Sequence, residues 1–240
     1  MAGSDEAVLA IRDVVKRFGG RDALDGLNLT LRAGEVFALL GPNGAGKTTT
    51  INLILGFLSA DAGTVRVCGV DAGLDPIAAR AAIAYIPEQV ALYPALSGRE
   101  NLRYFTTLAG LALSAAQADD LLAEAGLAPE ARGRRAATYS KGMRQKVGIA
   151  IALARRARLL LLDEPTSGLD PTAAADFSTL VRAAARRGTA ILMATHDLYR
   201  VKEVADRVGV LRAGRIIEEI DPGQLDHVGL ERLYIERLAS

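Results

Sequence analysis

The sequence predicts an α/β fold: a mostly parallel sheet flanked by helices, with an N-terminal antiparallel β-subdomain and an inserted α-helical subdomain. Three observations predict it. A short apolar run, residues 35–40 (EVFALL), leads through a glycine-rich loop into a helical pattern. Two more apolar runs, residues 159–162 and 190–194, read as strands buried on both faces, as in a parallel sheet covered by helices. Before them, from Gly98 to about Ala157, Leu, Ala and charged residues recur at three and four, the helical period.

Taken in order, residues 7–12 (AVLAIR) and 27–31 (LNLTL) alternate as half-buried strands do, the second ending at the Ala33-Gly34 turn. Between them Phe18 precedes Gly19-Gly20. An aromatic ring there can lie on an adenine or cap the small sheet; spacing alone favours the cap, and Phe18 is kept as a candidate adenine contact. Residues 49–57 read as a helix, 64–68 and 83–86 as short strands, and 76–82 as a short helix or turn. In the helical stretch Leu102, Phe105 and Leu108 share one face; Leu121, Leu122 and Ala125 share another, closed by Gly126. Pro129 and the basic run 132–135 mark a loop, and Ser140 precedes a helix reaching Ala154. Residues 176–187 form an amphipathic helix closed by Gly188, and Thr195 or Asp197 caps a helix over 198–205. Residues 208–211 and 215–219 make a hairpin across Ala213-Gly214, and 221–240 a helical tail. The expected organisation is one domain over 1–240. Its core is 1–87 with 159–220, its helical insert 88–158, and its tail 221–240.

Half of the 240 residues are apolar, enough for a substantial core. With 29 basic and 28 acidic residues the net charge is +1, which gives no nucleic-acid footprint; the short arginine clusters read as solvated helix ends or loops. Cys68 is the only cysteine, so neither an intrachain disulfide nor a cysteine-based metal cluster is available. The first ten residues carry acids and lack a long apolar core, so no signal peptide is expected. No run of 18 residues is free of charge. A soluble, cytoplasmic chain is expected, one that reaches a membrane only through a partner.

The chain is organised around residues 41–49: Gly41, Pro42, Asn43, Gly44, Ala45, Gly46, Lys47, Thr48 and Thr49. They spell G-x-x-x-x-G-K-[ST], the phosphate-binding P-loop. The glycines let the backbone curl so that several N–H groups face one anion. Lys47 supplies a point charge for the β- and γ-phosphates, and the Thr48 hydroxyl suits Mg²⁺. A strand before the loop and a helix N-terminus after it complete the arrangement. The chain therefore binds a nucleoside triphosphate, with Mg²⁺ beside its phosphates, on a P-loop NTPase core.

Such a loop needs a carboxylate for the metal. Asp163 ends the four-leucine strand, on the sheet edge where α/β folds place ligands, and Glu164 follows it. A carboxylate there can take the proton of the water attacking the γ-phosphate, so Glu164 is the candidate base. His196 ends the next strand and can contact a γ-phosphate oxygen or orient that water.

These motifs, with Tyr139-Ser140-Lys141-Gly142-Met143 between the P-loop and the four-leucine strand and Ser167-Gly168-Leu169-Asp170 just after that strand, resemble the nucleotide-binding subunit of an ATP-binding-cassette (ABC) transporter over about residues 7–220. The resemblance implies a head-to-tail dimer in which each ATP lies between the P-loop of one copy and the YSKGM loop of the other. Ser140 and the Gly142 backbone would then touch the partner's γ-phosphate, and Asp170 would link the two sites. It also implies a membrane-spanning permease as partner, placing the chain on the cytoplasmic face of the cell membrane. A short helix of the permease would dock beside the Glu88 loop, along residues 92–104.

Two departures stand out. The family's commonest signature is LSGGQ; here Lys141 and Met143 replace a glycine and the glutamine, while Ser140 and Gly142 remain. The loop after Ile86 usually carries a metal-reaching glutamine; here Glu88 holds that place as candidate metal ligand, with Gln89 beside it. YSKGM, the PE after a Tyr-containing strand and the tail LERLYIERL resemble the ATPases of type 2 ABC exporters. The 87–105 stretch with YSKGMRQK looks most like the ATPase of the copper-maturation transporter serving nitrous oxide reductase; drug, sodium, polysaccharide and cytochrome-maturation exporters carry the same loops. The alternative is a soluble ABC ATPase acting on nucleic acid or ribosomes. Those typically carry zinc cysteines, a long coiled coil or two cassettes, none of which this sequence has. A catalytically dead cassette is disfavoured by the intact Lys47, Asp163, Glu164 and His196.

Overall fold

The alternation read at the N-terminus extends well past its expected limits. β1 (Leu9–Phe18) and β2 (Arg21–Leu31) form a long antiparallel hairpin that absorbs the segment expected as a loop around Phe18. The structure, a computed structural model, describes residues 7–239. Residues 1–6, on which the expectation of no signal peptide partly rests, and Ser240 of the tail lie outside the described residues.

From β3 (Val36–Leu40) the chain enters α1 (Lys47–Ile54), which begins two residues earlier than the pattern suggested, inside the P-loop itself. Then come β4 (Ala62–Val67), β5 (Val70–Asp71), α2 (Pro76–Ala81) and β6 (Ile83–Ile86). The helical stretch resolves into α3 (Gly98–Leu108), α4 (Ala115–Glu124), the short α5 (Pro129–Arg132) and α6 (Lys141–Ala154). β7 (Leu159–Asp163), α7 (Pro171–Arg186), β8 (Ala190–Thr195) and α8 (Leu198–Val204) follow. The hairpin of β9 (Arg207–Arg212) and β10 (Arg215–Ile220) and the tail helix α9 (His227–Ala239) complete the chain.

Among the described residues the strands form two sheets. The first has the order β2-β1-β4-β5 and is antiparallel. The second runs β10-β9-β3-β8-β7-β6, parallel throughout except for the edge strand β10. The order is not sequential, because each parallel neighbour requires a crossover. All five parallel strands end on one edge, so the residues following β3, β6, β7 and β8 are brought together there.

Fully buried strands feed two cores. Val36, Ala38 and Leu40 face the helices of 98–205, as do Leu160, Leu162, Ile191 and Met193. Their neighbours Phe37, Leu39, Leu159, Leu161 and Leu192 face α1 and the antiparallel sheet. A period of two on a strand with no solvent face makes this division. Leu102 of α3, Ala118 and Leu122 of α4, and Val147, Ile149 and Ala150 of α6 belong to the first of these clusters and are continuous with the sheet.

Two helical expectations need correction. Leu102 is buried as expected but Leu108 is exposed; α3 also buries Asn101 and Thr106, which bond to nearby backbone carbonyls and so tolerate burial. The helix placed at 176–187 starts at Pro171, capped by the Asp170 carboxylate, which accepts from the Ala173 N–H at 2.9 Å. Pro at the first helical position after an Asp cap is a strong start signal.

Candidate active site

The P-loop is held by tight packing. A Cβ added at Gly41 would stand 2.4 Å from the Leu211 carbonyl oxygen. One at Gly46, where φ is +115°, would stand 2.7 Å from the Ala23 oxygen. Both positions require glycine. The Gly41 N–H donates to the Thr195 carbonyl at 3.3 Å, fixing the loop to the end of β8. No side chain caps the N-terminus of α1, so its first-turn N–H groups carry no capping oxygen. Lys47 is buried at 6% exposure and its Nζ donates to the Gly41 and Pro42 carbonyls at 2.6 and 3.3 Å.

Asp163 and Glu164 arrive from β7, and Tyr85 from β6 beside it. Burial, then the negative charge of Glu164, pushes the Asp163 carboxyl above its ordinary range; Lys47 and a hydrogen bond from Tyr85 oppose this. Burial and the facing Asp163 push the Tyr85 hydroxyl up to about 12, so it stays protonated and donates. Glu164 sits at φ +44°, in the left-handed region that a non-glycine residue occupies at a cost of about 1–3 kcal/mol. Its Oε2 accepts from the Thr195 hydroxyl at 3.1 Å and the His196 N–H at 3.4 Å. Its Oε1 lies 3.4 Å from Lys47 Nζ and 3.0 Å from His196 Nδ1. Neither approach has hydrogen-bond geometry, so Oε1 is a buried carboxylate oxygen without a donor. Such an atom costs stability and invites a proton-bearing partner.

Lys47, Thr48, Thr49, Pro42, Asn43, Gly44 and Gly46 line one cavity of about 260 Å³ with Ala23, Glu88, Asp163 and Glu164. Glu88 faces this cavity; Gln89 lines a different groove of about 480 Å³, with Val90, Leu92, Pro94, Ala136, Lys141 and Arg144. That groove runs between residues 89–94 and 136–144 rather than along α3.

The remaining candidates lie elsewhere. Phe18 is not among the cavity's lining residues; it ends β1 at 47% exposure, with Lys16 Nζ 5.4 Å from its ring. Ser140 caps α6, its Oγ accepting from the Met143 N–H at 3.3 Å, and Asp170 caps α7. Ser140, Gly142 and Asp170 do not line the P-loop cavity of their own chain. A Cβ added at Gly142 would meet Ala173 Cβ at 3.4 Å, Leu169 Cδ2 at 3.6 Å and Ser140 Oγ at 4.0 Å, all ordinary contacts, so nothing within the chain demands a glycine there. Thr195, which the sequence offers only as a helix cap, and Tyr85 also belong to the site, through Glu164 and Asp163. The signal for Thr195 was a polar residue closing an otherwise apolar strand.

The profile of the family described as "ABC transporter" matches residues 24–167, more than half of the chain. The chain belongs to the ABC transporter family. It is an ATP-binding cassette, and its chemistry is ATP hydrolysis. A Nod factor export ATP-binding protein of Burkholderia lata is 38% identical over 221 residues, covering 91% of this chain and 72% of that protein. The solved structure of an ATP-binding subunit of an ABC transporter superposes with a TM-score of 0.82 at 31% identity, covering 95% of this chain and 98% of the other. A dimeric post-hydrolysis structure of the cassette MJ0796 bound to ADP and phosphate superposes with a TM-score of 0.78 at 25% identity, covering 89% and 98%.

The site fits the magnesium nucleotide of an ABC cassette. Among the described residues no group of three or more His, Cys, Asp and Glu could hold an ion by itself. Thr48, Asp163 and Glu88 instead offer a hydroxyl and two carboxylates around a phosphate cradle. Mg²⁺ favours that set, since it takes one or two carboxylates and completes its shell with substrate phosphates and water.

Proposed function

We propose that this cassette is the motor of an exporter, hydrolysing Mg²⁺-ATP at a site completed by a second copy of itself. The observation that carries the hydrolytic half is the buried, donor-free Oε1 of Glu164, set beside Lys47 at the edge where the P-loop ends. Thr48, Asp163 and Glu88 would hold the metal, which when bound neutralises charge building up on the β- and γ-phosphates. Lys47 binds those phosphates and the α1 N-terminus orients them. Glu164, fixed through Oε2 by Thr195 and the His196 N–H, accepts the proton of the attacking water at Oε1. His196, with a largely exposed ring beside that oxygen, positions the γ-phosphate side of the cavity.

Ser140, Gly142 and Asp170 serve the partner copy. Their placement outside their own P-loop cavity and the spare room at Gly142 support this, as does the dimeric MJ0796 cassette. Among the described residues no helix is long and apolar enough to cross a membrane. Membrane work therefore calls for a permease subunit, docked in the groove between 89–94 and 136–144 on the cytoplasmic face. The export sense follows the Nod factor export relative. The core of 1–87 and 159–220 and the helical insert of 88–158 are the two units that the permease would move against each other.

The test is Glu164→Gln, which keeps size and removes the base. With Mg²⁺-ATP this variant should retain nucleotide, turn over at least about a hundredfold more slowly, and run as a dimer in size-exclusion chromatography. A monomer at saturating ATP, or turnover like the wild type, overturns the proposal.

A further inference from the structure

The two motif positions at which this chain departs from the commonest family pattern lie against each other. Lys141 opens α6 where a signature glycine is usual, and Glu88 follows β6 where a glutamine is usual. They are 53 residues apart in the chain (141 − 88). Lys141 Nζ donates to the Ser167 carbonyl at 2.5 Å and stands 3.8 Å from Glu88 Oε1. The Ser167 hydroxyl donates to that same Oε1 at 3.1 Å. Three segments thus meet on one carboxylate oxygen: the head of α6, the loop after β6 and the loop after β7.

The charge accounting gives the contact a purpose. A glutamine at the cavity rim is neutral. Glu88 instead adds a third carboxylate to an edge that already holds Asp163 and Glu164. Like charges gathered in one site disfavour each other unless a cation or donor offsets them. A glycine at 141 would supply neither. The pair is only partly shielded, with side-chain exposures of 25% for Lys141 and 49% for Glu88, so as an isolated ion pair it would be weak. Anchoring of Nζ by the Ser167 carbonyl removes part of the entropy that a free lysine would lose.

We propose that Lys141 is a positioning residue: with Ser167 it holds the Glu88 carboxylate at the rim of the nucleotide cavity of its own subunit. The signature loop then serves both sites. Ser140 and Gly142 face the partner's nucleotide, while Lys141 reaches back to the metal side of its own. The two substitutions are one matched pair, and Lys141 makes Glu88 tolerable. This rests on the proposed role of Glu88 as a metal contact.

The experiment is a double-mutant cycle read by binding. A fluorescent N-methylanthraniloyl-ATP is titrated onto the full chain at increasing Mg²⁺, and the Mg²⁺ midpoint is measured for wild type, Lys141→Met, Glu88→Gln and the double variant. Lys141→Met should raise the midpoint by about threefold, the scale of a half-exposed ion pair. In the Glu88→Gln background the same substitution should do nothing. Lys141→Arg should keep the wild-type midpoint, and Ser167→Ala should move it in the same direction as Lys141→Met. A shift of equal size in both backgrounds, or none in either, overturns the pairing. Lys141 lies at a partly exposed helix start, and Lys141→Arg and Ser167→Ala decide the matter if Lys141→Met fails to fold. Wild-type binding that ignores Mg²⁺ would sink the metal-site reading itself; Mg²⁺-dependent wild-type binding with a flat cycle would sink only the Lys141 assignment.

Discussion

Gly142→Ala should make the isolated subunit slightly more stable and the enzyme much worse. Gly142 is the second residue of α6, with no side-chain need for glycine within the chain: its Cβ would sit 3.4 Å from Ala173 Cβ and 3.6 Å from Leu169 Cδ2, ordinary contact distances. Replacing glycine by alanine inside a helix gains up to about 1 kcal/mol, and about half of that is expected in the first turn. For a chain of this size that is about 1–2 °C in Tm. Across the proposed dimer interface the sign reverses. The added methyl would stand where the partner's phosphate approaches the backbone, and overpacking of a close contact costs about 1–3 kcal/mol. ATP-driven dimerisation should weaken by about five- to a hundredfold. The assays are differential scanning fluorimetry without nucleotide and chromatography with ATP in the Glu164→Gln background. A drop of several degrees in Tm would show that glycine is needed inside the chain. Unchanged dimerisation would show that no phosphate comes close to Gly142.

Three further outcomes follow from the geometry. Lys47→Ala removes the buried cation of the P-loop and should weaken ATP binding by about one to two orders of magnitude in a labelled-nucleotide assay; unchanged affinity would contradict the P-loop assignment. Ser140→Arg should block ATP-dependent dimerisation while the same chain still binds ATP, because Ser140 lies outside its own cavity; loss of binding by the monomer would refute the head-to-tail arrangement. The third concerns pH. The Asp163 carboxyl is held above its ordinary value by burial and then by Glu164, so the folded chain binds this proton more tightly than the unfolded chain. Its contribution to stability is present at acid pH and lost as pH rises through the raised value. Asp163→Asn should therefore raise the Tm of nucleotide-free protein at neutral pH, with the gain shrinking towards the ordinary carboxylate range, and should abolish Mg²⁺-dependent nucleotide binding; a gain independent of pH would refute the stated cause.

Much of the site was legible because its elements are local. The P-loop, the four-leucine strand ending in Asp163 and the strand ending in His196 each announce themselves within about ten residues. The α/β class followed from fully apolar runs, since a strand buried on both faces shows no polar alternation. The Ser140 cap and the end of α6 at Ala154 also matched the structure, because a capping serine and a helical period act through neighbours in the chain. Errors fell where tertiary contacts outvote local pattern. Leu108 fits the apolar face of α3 by spacing yet is exposed, while Asn101 and Thr106 are buried because backbone carbonyls satisfy them.

Local pattern was enough to mark this chain as a nucleotide-binding α/β protein and to pick out the side chains that could do the chemistry. How those side chains meet is a property of the folded chain. The sheet order β9-β3-β8-β7-β6 brings residues 41–49, 88, 163–164 and 195–196 to one edge, and such an order is set by crossovers that leave no mark on any single segment. The setting of the Glu164 carboxylate depends on Thr195 and His196, 31 and 32 residues away, which bind its Oε2. Which of Glu88 and Gln89 reaches the cavity was decided by the bend after β6, which turns Glu88 to the nucleotide cavity and Gln89 to the neighbouring groove. The closeness of Lys141 and Glu88 is likewise a property of the folded chain: two departures from a motif become one contact once α6 is laid beside the loop after β6.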